Sequence, residues 1–189
     1  MVRYALVILM MTNAAVAQEA GTAAWTHIHE VLSHPRCVNC HVGPDNVPIW
    51  SGASYGTMPR PHGMNINAGA GRSAGASRGG AEYFPCSSCH ALQNSQLPHG
   101  PPGAPNWSLA PVSMQWFDKS SAEICAQIKD PARNGGLSIP RIIEHIEHEP
   151  LVHWAWTPGP GREPAPYSVA QLAEYLKQWY AAGAPCPTK

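Results

Sequence analysis

Phenylalanine, large aliphatic side chains and charged residues are all scarce in this chain of 189 residues. Two residues are phenylalanine and 13% are charged, whereas Gly (17) and Pro (20) together supply about a fifth of the chain. So few bulky apolar side chains limit the core that side chains alone can build. We therefore expect a loop-rich protein in which something other than side chains helps to fill the core.

The sequence also lacks a basic cluster and a long apolar run. Twelve basic residues are balanced by twelve acidic ones, which speaks against a nucleic-acid partner. The longest N-terminal apolar stretch, residues 4–11, is far shorter than the roughly twenty residues of a membrane-spanning helix. Arg3, this stretch and the small residues up to Ala17 have the layout of a secretory signal peptide. We expect cleavage after Ala17, a single domain over 18–189 and no stable membrane span; an uncleaved anchor is the alternative.

Helical periodicity occurs near both ends of the expected mature chain. Apolar residues recur at helical spacing over 25–32, and Pro35 should end that helix. Between residue 43 and about residue 111, Gly, Pro, Ser and Asn dominate, with no strand of convincing length. The C-terminal part again has helix signals, two capping boxes and one apolar stripe. They are Ser120 with Glu123, Ser168 with Gln171, and Ile139, Ile142, Ile143 and Ile146.

The six cysteines all follow the expected cleavage site. An even number in an oxidising compartment would ordinarily suggest three disulfides. Four of them, however, form two copies of C-x-x-C-H, over residues 37–41 (the first motif) and 86–90 (the second motif). Two thiols at this spacing can add to the two vinyl groups of one porphyrin, and the adjoining histidine can then bind the iron. We therefore expect two haem c groups, attached through Cys37, Cys40, Cys86 and Cys89, with His41 and His90 as the proximal ligands.

Other chemistry can use paired cysteines. A four-cysteine zinc site would need a shorter separation between the pairs, and it would leave both following histidines unexplained. A thioredoxin-like redox motif would need a neighbouring strand–helix pattern, and ordinary disulfides explain neither the repeat nor the histidines. The remaining cysteines, Cys125 and Cys186, are predicted to form a disulfide, with two free thiols as the alternative.

The second axial ligand of each iron decides whether that iron only transfers electrons or also binds a substrate. Met58, His62 and Met64 lie close together in sequence, and we place His62 first among them, followed by Met64. His145 flanks the apolar stripe and can turn toward a buried iron, whereas His148 lies on the other side of that helix. Further candidates are His34, His99, Met114 and His153.

The two motifs resemble those of multihaem c-type cytochromes of the bacterial periplasm. Four further segments are similar to a family of small dihaem proteins that are often labelled isoquinoline 1-oxidoreductase subunits. They are PHGMN (61–65), PPGAPNW (101–107), KDPARNGG (129–136) and LVHW (151–154). The resemblance covers most of the expected mature chain, and it would imply an electron-accepting companion of a molybdenum hydroxylase.

The sequence thus predicts a mainly α, loop-rich dihaem cytochrome c fold, with short helices packed round two covalently bound haems. Tryptophan, of which there are seven, could either pack on the porphyrins or simply supply bulk to the core. The expected function is electron transfer in the periplasm with redox proteins as partners, including a dehydrogenase or hydroxylase as donor. The alternative is a dihaem oxidoreductase, peroxidase-like or acting on a sulfur compound, with one open haem iron.

Overall fold

Helices make up most of the regular structure in the computed structural model, which describes residues 2–63, 66–67, 79–80 and 85–188. Short 3₁₀ turns over Cys86–Ser88 and Trp154–Trp156 add to them. This part of the chain is therefore mainly α, as the sequence predicts at that coarse level. The helices are α1 (Val2–Leu32), α2 (Pro35–Val38), α3 (Ser121–Ile128), α4 (Ile139–His148), α5 (Pro150–His153) and α6 (Val169–Ala181). The strands are β1 (Ile49–Gly52), β2 (Gly56–Pro61), β3 (Ile66–Asn67) and β4 (Gly79–Gly80).

Both predicted capping boxes are confirmed. At the start of α3, the backbone N–H of Glu123 donates to Ser120 Oγ, and the Glu123 carboxylate accepts the backbone N–H of Ser120 at 2.8 Å. Ser168 and Gln171 make the same reciprocal pair at the start of α6. Each box gives partners to N–H groups that a helix start would otherwise leave unpaired. These helices therefore begin where the local sequence says they should.

The core is centred on the contact between α1 and α6. Trp25 and Trp179 are almost wholly buried, and their rings lie 5.0 Å apart. The end of α6 approaches α1 so closely that a Cβ on Gly21 would lie 2.6 Å from the Cβ of Ala182. α4 adds the predicted stripe to the core, with Ile142, Ile143 and Ile146 buried. Other side chains of α1 and α6, together with Ile142 and Ile146 of α4, line the larger cavity described below.

α1 is much longer than the helix predicted over 25–32, which is only its C-terminal part. Among the α1 residues whose burial is described, 16–20 are exposed and Gly21 is the first that is buried. Among the described helices, none combines the length and apolar character needed to cross a membrane. The boundary between exposed and packed residues thus lies a few positions beyond Ala17.

A small antiparallel hairpin of β1 and β2 was not predicted from the sequence. Ile49 pairs with Pro61 and Gly52 with Gly56, with an irregularity between Trp50 and Gly52. β3 and β4 form a second, parallel pairing of two residues each. The expectation that this region holds no convincing strand was therefore wrong for the hairpin, whose polar anchoring to other segments is described below.

The predicted disulfide between Cys125 and Cys186 is confirmed. It joins the buried face of α3 to the tail beyond α6 and closes a loop with a sequence separation of 61 residues. In the chain-entropy description, a crosslink over that length lowers the entropy of the unfolded chain and stabilises the fold by about 4 kcal/mol. The tail is thereby fastened to the core.

Replacing Cys125 and Cys186 together with Ser should therefore lower the free energy of unfolding by about 2–5 kcal/mol. Denaturant titration of the double variant and of the parent, with and without a reductant, measures the difference. Both motifs lie outside the crosslink, so cofactor content per folded chain should not change. Identical unfolding midpoints for the oxidised parent and the variant would contradict a stabilising role for the disulfide.

Candidate functional site

The first motif lies on the short helix α2 and the turn that follows it. His34 caps α2, with its Nδ1 accepting the backbone N–H of Arg36 at 3.2 Å, and Pro35 suits the first helical position. The backbone N–H groups of Cys40 and His41 both donate to the carbonyl of Cys37 at 3.0 Å. This turn brings both thiols and the His41 imidazole to the wall of the same cavity.

The second motif repeats this local geometry on the 3₁₀ turn Cys86–Ser88. The backbone N–H of His90 donates to the carbonyl of Cys86 at 2.9 Å, as His41 does to Cys37. All four motif cysteines are free thiols. The two sequence repeats are therefore structural repeats as well.

The two motif histidines also have matching partners. His41 Nδ1 is 2.9 Å from the carbonyl oxygen of Met114, and His90 Nδ1 is 2.8 Å from that of Pro102. Because a carbonyl only accepts, each Nδ1 must carry the proton, which leaves Nε2 with its lone pair. That tautomer is the form in which an imidazole binds a metal through Nε2.

A tryptophan ring stacks against each of these imidazoles. Trp116 lies parallel to His41, with ring centres 3.5 Å apart and an interplanar angle of 2°. Trp107 lies parallel to His90, with ring centres 4.7 Å apart and an interplanar angle of 4°. Trp107 also packs edge to face with Trp154. The stacking limits the rotation of both imidazoles, so hydrogen bond and aromatic contact together fix each ring.

The first motif borders a large cavity, here called the first cavity. Its volume of about 470 Å³ is within the range of small-molecule and cofactor pockets. Both thiols of the motif and His41 line it, and His145 on α4 contributes to the same lining. Its other walls are mainly apolar, with side chains from α1, α4 and α6 that include Leu32, Ile142, Ile146, Leu172 and Leu176.

Burial within the first cavity shifts the protonation of the motif. It raises the pKa of Cys37 to about 12 and that of Cys40 to about 11, so both are neutral thiols at pH 7. Burial also lowers the pKa of His41 to about 4, partly offset by its bond to Met114 and reinforced by His145. The imidazole is therefore neutral at pH 7, as a metal ligand must be.

The second motif borders a smaller cavity, here called the second cavity, of about 90 Å³. Cys86, Cys89 and His90 line it, and His62 faces them from the end of β2. The ring centres of His62 and His90 are 5.9 Å apart. His62 Nδ1 is 2.6 Å from the carbonyl oxygen of Gly63 and must also donate. In the neutral imidazole, this tautomer leaves the lone pair on Nε2.

Burial lowers the pKa of His90 as well, against the opposing effect of its bond to the Pro102 carbonyl; the nearby His62 and Arg162 lower it further. Of the four motif cysteines, Cys89 is exposed and the other three are half-buried.

Other candidate ligands are less well placed. Met114 lines the first cavity, but its backbone carbonyl is the partner of His41, which puts this residue beside His41. His99 is exposed and packs on Tyr55 outside the described lining of both cavities. His145 and His148 are both exposed on α4, but His148 is not among the described residues that line either cavity. Met64 lies outside the described residues.

Three further candidate ligands either make hydrogen bonds to other groups or are exposed. They are His34, His153 and Met58. His34 Nδ1 caps α2, and His153 Nε2 is 3.0 Å from the carbonyl oxygen of Ile146. Met58 is 76% exposed on β2. Among the histidine candidates, His62 and His145 are thus the two that line a cavity together with a motif histidine.

Sequence reasoning did not find the role of Arg36. Its side chain is buried and lines the first cavity, yet its Nε has no hydrogen-bond partner among the described residues. Trp116 lines the same cavity, and its buried Nε1 also lacks a partner among the described residues. Buried donors without partners cost free energy, so an acceptor on a bound group would stabilise both. The single signal in the sequence was the position of Arg36 directly before the first cysteine.

Gly103 supports the second motif by allowing two loops to approach closely. A Cβ at this position would lie 2.2 Å from the carbonyl oxygen of Gln93 and 2.5 Å from that of Ala91. Both contacts are with backbone, which cannot move away as the end of a flexible side chain can. The preceding residue, Pro102, supplies the carbonyl that holds His90.

We therefore expect Gly103→Ala to lower the free energy of unfolding by at least about 1–3 kcal/mol and to disturb the His90 site first. Gly43→Ala is the matched control, because its Cβ would have only an ordinary contact with Asp45. Thermal unfolding of both variants measures the effect. Equal melting temperatures for Gly103→Ala and the parent would contradict the close approach.

Comparisons of the chain with protein-family models, with curated proteins and with solved structures found no match. The function must therefore be inferred from the motifs and their geometry.

Proposed function

We propose that the protein is a dihaem c-type cytochrome of the periplasm that transfers electrons one at a time to and from redox partner proteins. One observation carries the proposal. Both C-x-x-C-H motifs fold in the same way, each at the wall of its own cavity, with free thiols and a histidine held with its Nε2 available. When bound, each haem would supply an iron that cycles between the ferrous and ferric states.

The residues of the two motifs and of the first cavity suit a haem. Cys37 and Cys40 would hold one haem, and Cys86 and Cys89 the other, by thioether bonds. The apolar walls of the first cavity suit a porphyrin, and its unpaired Arg36 Nε and Trp116 Nε1 are donors that suit haem carboxylates. The fit is closest at the first cavity, where a haem would also complete a core short of bulky side chains.

The geometry favours two histidines per iron. Two imidazoles that border the same haem site could both hold its iron. His62 and His90 lie 5.9 Å apart across the second cavity. His145 faces the first cavity together with His41. We therefore assign His62 to the second-motif haem and His145 to the first-motif haem.

The separate cavities also bear on the zinc alternative. A four-cysteine zinc site requires all four thiolates within one coordination sphere. Here Cys37 and Cys40 line the first cavity, while Cys86 and Cys89 line the second. Two separate attachment sites agree better with this arrangement than one shared metal does.

Two features support export to the periplasm. Among the α1 residues whose burial is described, Gly21 is the first that is buried, so loss of residues 1–17 would remove none of the described core. The disulfide between Cys125 and Cys186 is the kind of bond that persists in oxidising compartments. A donor such as a dehydrogenase or hydroxylase fits this location and remains part of the proposal.

Optical spectra of the ferric and ferrous protein, with and without carbon monoxide, test the choice between carrier and enzyme. A carrier should have two low-spin haems that bind carbon monoxide poorly, since both axial positions are filled by protein. A high-spin haem that reacts readily with peroxide would instead establish the oxidoreductase alternative.

A further inference from the structure

Asn39 lies between the two cysteines of the first motif, yet its side chain binds a strand. Asn39 Oδ1 accepts the hydroxyl of Ser51 at 2.9 Å, and Asn39 Nδ2 donates to the Ser51 carbonyl at 3.3 Å. Arg36 Nη2 donates to the same carbonyl at 2.7 Å. All three residues are buried. This polar network, formed by Arg36, Asn39 and Ser51, fastens the first motif to β1.

β1 in turn carries the residue that faces the second motif. It pairs with β2, and His62 directly follows β2. At the base of the hairpin, the backbone N–H of His62 donates to the Pro48 carbonyl at 2.7 Å, and both residues line the second cavity. The hairpin therefore extends from the first motif to the second cavity.

A two-stranded hairpin is marginally stable by itself in water, so its position depends on its anchors. One anchor is at the turn, where the Glu163 carboxylate accepts the backbone N–H groups of Ala53 at 2.9 Å and Ser54 at 3.3 Å. The other is the polar network at Ser51, which is nearer to His62 along the pairing. Buried hydrogen bonds of this kind define a position well, because breaking one leaves a buried group without a partner.

We propose that Asn39 and Ser51 are positioning residues for His62, so that the first attachment motif helps to place the axial ligand of the second haem. The inference rests on the proposed function, since it requires His62 to bind an iron. It makes the two haem sites structurally interdependent.

The test uses the purified holoprotein and the variants Asn39→Ala, Ser51→Ala and their combination. Weaker positioning should lower the occupancy of His62 on the iron, so that carbon monoxide competes better. We expect the apparent affinity of the second-motif haem for carbon monoxide to rise about tenfold in each single variant. The haem concerned is identified by the spectrum that His62→Ala produces. The double variant should exceed Asn39→Ala by little, because Asn39→Ala already removes both bonds between the Asn39 side chain and Ser51.

Two controls separate positioning from general damage. Ser51→Thr keeps the hydroxyl and should retain the parental affinity. Ser113→Ala changes an exposed serine outside both motifs and outside the lining of both cavities, and it should do the same. Ser51→Ala leaves the bond from Arg36 to the Ser51 carbonyl in place, so it is the mildest disruption of the network.

The outcomes distinguish this inference from the proposed function. If His62→Ala opens a haem but Asn39→Ala and Ser51→Ala leave carbon monoxide affinity at the parental value, the positioning role is overturned and the cytochrome remains. If His62→Ala has no effect on either haem, the positioning role also fails. The number of haems per chain tests the cytochrome assignment independently.

Discussion

Two covalently bound haems per chain are the expected result when the protein is made in a bacterial host that can attach haem c and is purified from its periplasm. Each motif provides two thiols and a histidine, which is what one attached haem requires. A pyridine haemochrome assay against protein concentration gives the ratio. Intact mass should equal residues 18–189 with two haems, and acid with organic solvent should not extract them.

Variants of each motif test which cysteines attach which haem. Replacing Cys37 and Cys40 with Ala should leave one haem, held by the second motif, and replacing Cys86 and Cys89 should leave the other. Replacing Cys125 and Cys186 is the matched control, since it removes the same number of cysteines but should leave two haems. A parental protein with no covalent haem, or with bound zinc in its place, would refute the dihaem assignment.

Local signals in the sequence predicted local structure well. The capping boxes at Ser120 and Ser168 depend on residues three positions apart, so their hydrogen bonds could be inferred without the fold. The apolar stripe of α4 was equally readable, because Ile142, Ile143 and Ile146 repeat with the period of a helix. The disulfide could be predicted by elimination, because the two C-x-x-C-H motifs account for the other four cysteines.

The β1–β2 hairpin could not be predicted in this way. β2 contains Pro59 and Pro61, which cannot donate to a strand ladder, and both strands end in or begin with glycine. Its anchors come from distant segments, through Arg36 and Glu163. A strand held mainly by tertiary contacts leaves no periodic signal in its own sequence.

The candidate site shows the same difference between features that local sequence predicts and features that depend on the fold. The cysteines and the histidine of each C-x-x-C-H motif are contiguous in sequence, so the roles proposed for them could be predicted from spacing alone. The tryptophan that stacks on each histidine could not, because Trp116 and Trp107 reach His41 and His90 only through the fold. The sequence offers a choice of candidate second ligands, and cavity lining narrows the histidines among them to His62 and His145.

Replacing either of these two histidines with alanine should open one haem and leave covalent attachment intact. Loss of the second axial ligand gives a five-coordinate iron that is high-spin when ferric and binds carbon monoxide when ferrous. The fraction of haem that binds carbon monoxide should therefore rise from near zero in the parent to about half in His62→Ala or His145→Ala, and to nearly all in the double variant.

Single-haem backgrounds assign each ligand to its iron. In a protein that retains only the second-motif haem, His62→Ala should open the iron and His145→Ala should not. With only the first-motif haem present, the dependence should be reversed. His148→Ala is the matched control, since it is an exposed histidine on the same helix as His145 and is not among the described residues lining the first cavity.

The result also ranks the remaining candidates. If His145→Ala leaves the first-motif haem low-spin, Met114 is the next ligand to replace, because its residue lines the same cavity. If His62→Ala leaves the second-motif haem low-spin, Met64 and then His99 follow. An unmodified protein that already binds carbon monoxide at one haem would contradict two filled axial positions. It would also favour an enzyme in which the open iron meets a substrate and the other haem exchanges electrons with a partner.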